Sequence, residues 1–491
     1  MKPSYFRFWL YLFVFSMLTF QGCAPTDQSA AAAEAPDTSP TQTPLEAYIN
    51  LPDDAFEYEL KDSIKGEGYT AFIIRMVSQR WLTTAEVKDP TWWHWLTIVV
   101  PDEVISNKGL LFIGGGSRNS KSPDKADEIQ VQSAILSKSI TANLHNVPNQ
   151  PLEFVGDDYG PRTEDELIAY GWRKFMEGGA KDEDAIWLAR LPMTKAAVRA
   201  MDVISEFSYS IGHKVDQFVV AGGSKRGWTT WTTGAVDDRV IAIAPIVIDM
   251  LNVVPSFQHH WQVYGFWAPA VGNYVEEGIM DWQGSKEYDR LISITEPYSY
   301  LDKLDMPKLL LNATGDQFFI PDSWQFYWND LKGEKHVRYV PNTDHSMRES
   351  DVLESLISFY QSIVLDAPRP DFDWQVENGT IHIHTPEGKA PASIKLWKAN
   401  NPDSRDFRLE TIGKAWEAEE IAINPEGNYQ IKIEEPKGGY SAFFAELTYP
   451  GVAGVPLKLT TGVVVTPDTY PNKPFVAEVP KGTPKKEGVG D

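Results

Sequence analysis

Short apolar runs divide the middle of the chain. Leu96-Thr97-Ile98-Val99-Val100, Gly109 to Ile113, Val215 to Val220, Val240 to Ile248, Lys308 to Asp316 and His336 to Val340 read as strands, and Ala142-Asn143-Leu144 opens another. Between them the apolar positions fall at helical spacing. Helices are expected over Ala126–Ile140, Glu164–Met176 with Thr163 as its cap, Lys195–Tyr209 and Asp351–Leu365. Strand and helix alternate, which predicts a mostly parallel sheet covered by helices on both faces.

The alternation breaks twice. Leu251 to Pro307 follows a strand and carries many aromatics, among them Phe257, Trp261, Tyr264, Phe266, Trp267, Tyr274, Trp282 and Tyr288. It reads as a cap over the sheet edge, whose rings either pack the cap down or hold a sugar, aromatic or peptide group. From about 367 to 470 the pattern turns to short β-rich pieces, such as Thr380–His384, Ser393–Trp397, Tyr429–Ile433 and Ser441–Leu447, separated by Gly, Pro and Asn. This predicts a sandwich-like all-β domain. Residues 471–491 are rich in Pro, Lys and Gly and are expected to be a flexible tail.

One strand ends in chemistry. Val219-Val220-Ala221 runs into Gly222-Gly223-Ser224-Lys225-Arg226-Gly227-Trp228, where a helix begins. A buried strand that turns through glycines and a serine into a helix is a nucleophile elbow. The familiar spacing places a glycine two residues after the serine. Here that position is Arg226 and the glycine is Gly227. The alternative is a strand–turn–helix junction with a capping serine. Gly114-Gly115-Gly116 ends an earlier strand and reads as an oxyanion loop, or else as a plain turn.

A serine nucleophile needs a base and a group to orient it, in the order Ser, acid, His. Asp316 ends the next-to-last strand, and His345 follows the last strand by a few residues. His336 begins a strand at the opposite edge, and His382 and His384 lie in the β-rich region, so the base is expected to be His345. Asp249, at the end of the preceding strand, is the reserve acid. Asp322 and Asp344 read as local caps or turn residues. The Lys225 N–H, with one from Gly115 or Gly116, is expected to bind the oxyanion. Adjacent Lys225 and Arg226 suit either an acidic substrate or a solvated surface. His259-His260 and the pair His382 and His384 lack a third metal ligand, and there is no phosphate loop or dinucleotide fingerprint, so neither metal nor cofactor is expected.

The runs Gly222–Trp231, Pro245–Asn252 and Asn312–Asp316 resemble the PhoPQ-activated pathogenicity-related family, over roughly residues 45 to 470. The resemblance implies an α/β-hydrolase fold and a Ser-Asp-His triad, and leaves the substrate open. The elbow is also similar to those of glucuronoyl esterases and other carbohydrate esterases. The expected activity is a serine hydrolase on a carbohydrate or small acyl ester. The alternatives are a peptidase of the prolyl-oligopeptidase type and a non-catalytic binder on the same fold.

The 491 residues and 42% apolar composition provide a large core, and the net charge of −23 makes nucleic acid an unsuitable partner. Residues 8–20 form an apolar run behind Lys2 and Arg7, followed by Gly22-Cys23, and Cys23 is the only cysteine. This resembles a bacterial signal peptide with a lipobox, so residues 1–23 are expected to direct export and Cys23 to carry a lipid anchor in a bacterial envelope membrane. Cleavage nearby, giving a periplasmic or secreted chain, is the alternative. Residues 24–44 read as a disordered tether before the hydrolase domain of 45–366. If Cys23 is the anchor, mass spectrometry of the mature N-terminus will find an acylated cysteine, and Cys23→Ser will release the protein from membranes. An unacylated wild-type N-terminus starting elsewhere refutes this.

Overall fold

The computed structural model describes residues 42–485, so the leader, Cys23 and nearly all of the expected tether lie outside the described residues. The first helix, α1 (Pro44–Asn50), begins inside the expected tether. Thr43 and Glu46 cap it reciprocally: the Glu46 N–H donates to the Thr43 hydroxyl, and the Thr43 N–H donates to the Glu46 carboxylate at 2.9 Å.

The strands of the first half are β1 (Glu57–Gly66), β2 (Tyr69–Arg80), β3 (Thr91–Pro101), β4 (Lys108–Ile113), β5 (Thr141–Leu144), β6 (Gln217–Gly223), β7 (Val240–Ile246), β8 (Lys308–Ala313) and β9 (Lys335–Val340). They pair in the order β1-β2-β3-β5-β4-β6-β7-β8-β9. From β5 to β9 every neighbouring pair is parallel, whereas β1, β2 and β3 pair antiparallel and β3 is antiparallel to β5. With β4 and β5 exchanged and the second strand of β2–β9 reversed, this is the α/β-hydrolase sheet. β1, which forms a hairpin with β2, is an added edge strand. The sequence pattern missed it, because β1 alternates weakly and is mostly exposed.

The expected helices form with shifted ends: α2 (Glu128–Ser137), α3 (Glu164–Glu177), α4 (Arg190–Ser210) and α5 (Lys225–Val236). α6 (Val253–Tyr264), α7 (Gly272–Glu276) and α8 (Lys286–Thr295) make the cap between β7 and β8, and α9 (Val352–Val364) closes the hydrolase part. α4 and α5 pack together over one face of the sheet, and α2 and α9 over the other. Strands β4 and β6–β8 are thus buried on both sides, which is why they read as continuous apolar runs.

The β-rich end is not a separate sandwich. Its strands are β10 (Asp373–Glu377), β11 (Thr380–His384), β12 (Ser393–Asn401), β13 (Glu417–Ile421), β14 (Asn428–Ile431), β15 (Tyr440–Tyr449), β16 (Leu457–Thr460) and β17 (Val464–Thr466). β16 pairs with β9 through Thr460 and Val337, so the hydrolase sheet runs on as β16-β15-β12-β13, with β17 beside β15. Only β10-β11-β14 forms its own layer. Ile381, Ile383 and Ile431 of that layer share one core with Phe443 and Leu447 of β15 and with Leu356 and Phe359 of α9. The arrangement is sandwich-like, but one layer belongs to the hydrolase sheet, and the boundary expected at 366 falls inside one compact unit. The buried Arg338 of β9 reinforces the join. It donates to the Ser355 hydroxyl at 2.8 Å and pairs with Asp351, which Lys458 of β16 also meets.

The tail also departs from expectation: through residue 485 it lies along the cap. The Asn472 N–H donates to the Gln262 carbonyl, and the Phe475 N–H to the Gln258 side chain at 2.9 Å. The Phe475 ring lies 4.9 Å from Trp261 and 5.0 Å from Trp267, and Thr483 donates twice to the Glu287 carboxylate. Proline and lysine composition gave no sign of this, because one aromatic and a few backbone groups make the contacts. Deleting residues 471–491 uncovers the two tryptophans at a cost of about 1–3 kcal/mol. The expected result is faster amide exchange in α6 and α8 with the sheet unchanged; unaltered exchange in the cap would contradict the clasp.

Candidate functional site

β6 lies at the centre of the sheet, between β4 and β7. At its end Ser224 adopts φ 59° and ψ −125°, a strained conformation for a residue with a side chain. Its N–H donates to the Ile246 carbonyl of β7 at 2.8 Å, and α5 starts at the next residue. The shifted glycine now has a reason. A Cβ on Gly227 would come 2.9 Å from the Ile246 carbonyl and 3.0 Å from that of Gly222, and one on Gly222 would meet the Arg226 carbonyl at 2.8 Å. These two glycines let α5 press against the strands and hold the turn closed.

Asp316 and His345 meet directly. The His345 Nδ1 lies 2.8 Å from the Asp316 Oδ2, while Oδ1 accepts the N–H groups of Phe318 at 2.7 Å and Phe319 at 3.3 Å. With Nδ1 donating to the carboxylate, Nε2 is left as the basic nitrogen. The His345 ring packs on Phe318 and Phe319, with centroids 4.3 and 5.8 Å away, and the His345 backbone N–H donates to the Gln317 side-chain oxygen. Phe319 also lines a cavity of about 30 Å³ with Ser224 and Trp228 from below and Phe257 and Tyr274 from the cap. Asp316 and His345 pair past the C-terminal ends of β8 and β9, and Ser224 stands past the end of β6 on the same edge of the sheet, with Phe319 between the pair and the cavity at Ser224. On the outer side His345 and Phe318 border an open groove of about 350 Å³.

Asp249 does not hold the histidine. It is buried, and both its oxygens are taken, by the hydroxyls of Tyr327 and of Tyr339, the latter at 2.6 Å. Burial pushes its carboxyl up to about 8 against those hydrogen bonds. Asp322 is not a local cap either. It joins the cap to the β-rich end, accepting from the His259 Nε2 at 2.8 Å and from Arg405 at 2.7 Å. Burial raises its carboxyl, but Arg405 and His259 outweigh burial and hold it well below the usual range. Asp344 is a turn residue as expected, accepting from the N–H and hydroxyl of Ser346.

The expected oxyanion groups lie on adjacent strands. Ile113 of β4 is in register with Gly222, so the loop Gly114–Gly116 leaves the sheet beside the elbow. The Gly115 carbonyl accepts from the Asn146 N–H and the Gly116 carbonyl from Gln150, both inside the loop's own support. The Lys225 N–H stands at the first position of α5, where no intrahelical acceptor exists. The side chains of Lys225 and Arg226 are neither solvated nor free. Lys225 pairs with Glu164 at 2.8 Å and Asp165 at 2.9 Å, and Arg226 pairs with Glu164 at 2.6 Å while lying against Gly115. Burial raises the Glu164 carboxyl, but Arg226 and Lys225 outweigh it and bring the group down to about 2.

Sequence reasoning named Tyr274 only as one of many cap aromatics and missed Arg190, Asp165 and Phe319. Asp165 read as an ordinary position in the first turn of a helix, Arg190 fell before the expected start of the next helix at Lys195, and only Phe319, three residues after Asp316, carried a positional hint. Among the described residues no three His, Cys, Asp or Glu side chains gather to hold a metal.

Residues 45–408 match the PhoPQ-activated pathogenicity-related protein family. Autocrine proliferation repressor protein A of Dictyostelium discoideum is 38% identical over 457 residues, 87% of this chain and 91% of that one. The chain belongs to the PhoPQ-activated pathogenicity-related family. Among solved structures, acetyl xylan esterase 1 of Thermoanaerobacterium is similar with a TM-score of 0.44 and 12% identity, over 65% of this chain and 93% of that one. A glucuronoyl esterase of Solibacter usitatus gives 0.38 and 12%, over 65% and 90%. The Pyrococcus horikoshii acylaminoacyl peptidase gives 0.37 and 13%, over 65% and 51%.

In this family member Asp249 makes stability depend on pH. Its carboxyl titrates near 3.8 when unfolded and near 8 when folded, so the stability it contributes is full below the first value and is lost as pH rises towards the second. Asp249→Asn has no such proton to lose. Denaturant midpoints of the variant are expected to fall less between pH 5 and pH 8 than those of wild type; equal declines would remove this role.

Proposed function

We propose that the chain is a serine hydrolase that cleaves esters of short acyl groups through an acyl-enzyme, with Ser224 as nucleophile, His345 as base and Asp316 as orienting acid. The observation that carries the proposal is the pairing of a strained serine elbow with a hydrogen-bonded Asp316–His345 couple at the same edge of the sheet. The Ser224 Oγ attacks the carbonyl carbon, and the His345 Nε2 takes its proton and returns it to the departing alkoxide. Asp316 favours the imidazolium that forms in between. The tetrahedral oxygen is bound by the Lys225 N–H, at the positive end of α5, and by an N–H from Gly115 or Gly116. Water then repeats the sequence on the acyl-enzyme and releases the acid. The small cavity at Ser224 favours a short acyl group, and the open groove beside His345 offers room for a larger alcohol such as a sugar. The apolar run at residues 8–20 and Cys23 support a site of action outside the cytoplasm, at a membrane.

A fluorophosphonate probe is expected to label wild type and not Ser224→Ala, and 4-nitrophenyl acetate to turn over faster than aminoacyl-proline amides. Asp316→Asn is expected to lower turnover by about 10⁴-fold, as the same change does in a related triad, because an amide cannot stabilise the imidazolium. Absence of labelling in folded wild type defeats the proposal. Faster cleavage of the amides would redirect it to a peptidase.

A further inference from the structure

Beneath the elbow three cations meet two carboxylates. Glu164 serves Lys225 and Arg226, and Asp165 serves Lys225 while accepting from the Tyr274 hydroxyl at 3.0 Å. The third cation, Arg190 at the start of α4, is only 3% exposed and has no salt bridge among the described residues. Its Nη1 donates to the Lys225 carbonyl at 3.0 Å and its guanidinium lies 4.4 Å from the Trp228 ring centroid, while its buried Nε has no partner. A carbonyl dipole and a ring face do not neutralise a guanidinium, and a buried charge without a counter-ion is costly. Burial accordingly weakens the hold of Arg190 on its proton, with Tyr274 and Asp165 offsetting this in part. Tyr274 stays neutral, since burial and then Asp165 raise its hydroxyl further.

Arg190 lines the same cavity as Ser224. The cavity volume of about 30 Å³ corresponds to about two waters. Two water-sized positions are what the two oxygens of one carboxylate occupy.

We infer that the acyl group cleaved at Ser224 ends in a carboxylate, as in a half-ester of malonate or succinate, and that Arg190 is the residue that binds it. The surplus guanidinium supplies the charge, Trp228 holds it flat, and Tyr274 closes the cavity from the cap. Lys225 and Arg226, the cations visible beside the elbow in the sequence, are occupied by Glu164 and Asp165 and do not take this role.

This inference rests on the proposed ester hydrolysis, and the test separates the two. The kcat/KM of the full chain is compared for 4-nitrophenyl hemisuccinate and the uncharged 4-nitrophenyl butyrate. Wild type is expected to favour the anionic ester by about ten- to a hundredfold, the worth of one charge-assisted hydrogen-bonded contact. Arg190→Gln is expected to bring the ratio close to one, mainly through KM, and Arg190→Lys to keep part of it. If Arg190→Gln does not fold, wild type alone decides: succinate is expected to protect Ser224 from a fluorophosphonate and succinamide is not. A labelled, active enzyme with no anionic preference and no protection by succinate overturns the inference and leaves the hydrolase standing. A preference that survives Arg190→Gln in folded protein removes Arg190 from it. Failure of any labelling counts against the hydrolase itself.

Discussion

Everything at the sheet edge depends on how closely α5 is pressed onto β6 and β7. Gly227 has no room for a Cβ between two strand carbonyls, and Gly222 has none beside the Arg226 carbonyl. That closeness leaves Ser224 one way to turn, through φ 59°, and so lifts its side chain out of the sheet at the N-terminus of a helix. The strain is held by the hydrogen bond to Ile246 and by burial of α5 against α4 and both strands. A glycine one place later than the familiar motif serves as well, because it is the contact that matters, not the count from the serine.

The same packing decides where the charges go. Arg226 leaves the elbow on the side of the Gly114–Gly116 loop and is fixed there by Glu164. Lys225 turns beneath, towards Glu164 and Asp165. Both cations hold the frame of the site, and they consume the carboxylates of α3 in doing so. Arg190, arriving from α4, meets a carbonyl, an indole and the neutral Tyr274 hydroxyl, while the nearby Asp165 is already paired with Lys225, so it is left with charge to spare.

What the sequence disclosed follows from this. The elbow at Ser224 and the pairing of Asp316 with His345 were legible because each sits where an apolar run stops, and a parallel sheet brings the ends of such runs to one edge. Asp249 stood at an equivalent strand end and looked equally able. Its exclusion depends on Tyr327 and Tyr339, 78 and 90 residues away, which no local pattern connects to it. Arg190 was invisible for the opposite reason: it fell outside the expected helix, which was placed from Lys195, and only the extension of α4 and its packing under α5 bury it. The β-rich end was legible as strands but not as an extension of the hydrolase sheet, since a single long-range pair, Thr460 with Val337, makes that join.

That join bears on the site. Because β16 pairs with β9, the β-rich end is joined directly to the sheet whose strands β8 and β9 lead to Asp316 and His345. Arg405 from that end reaches the buried Asp322, which also holds His259 of α6, and the chain beyond Tyr470 then runs along α6 and α8. The cap is therefore fastened to the sheet at its own two ends and, independently, through the β-rich end. These contacts place Phe257 and Tyr274 over Ser224, and a lining fixed by packing lowers the entropic cost of binding. It also limits what can enter. If the proposed hydrolysis takes place there, a cavity roofed by a fastened cap suits a short acyl group, and selectivity comes from the groups already lining it rather than from closure around the substrate.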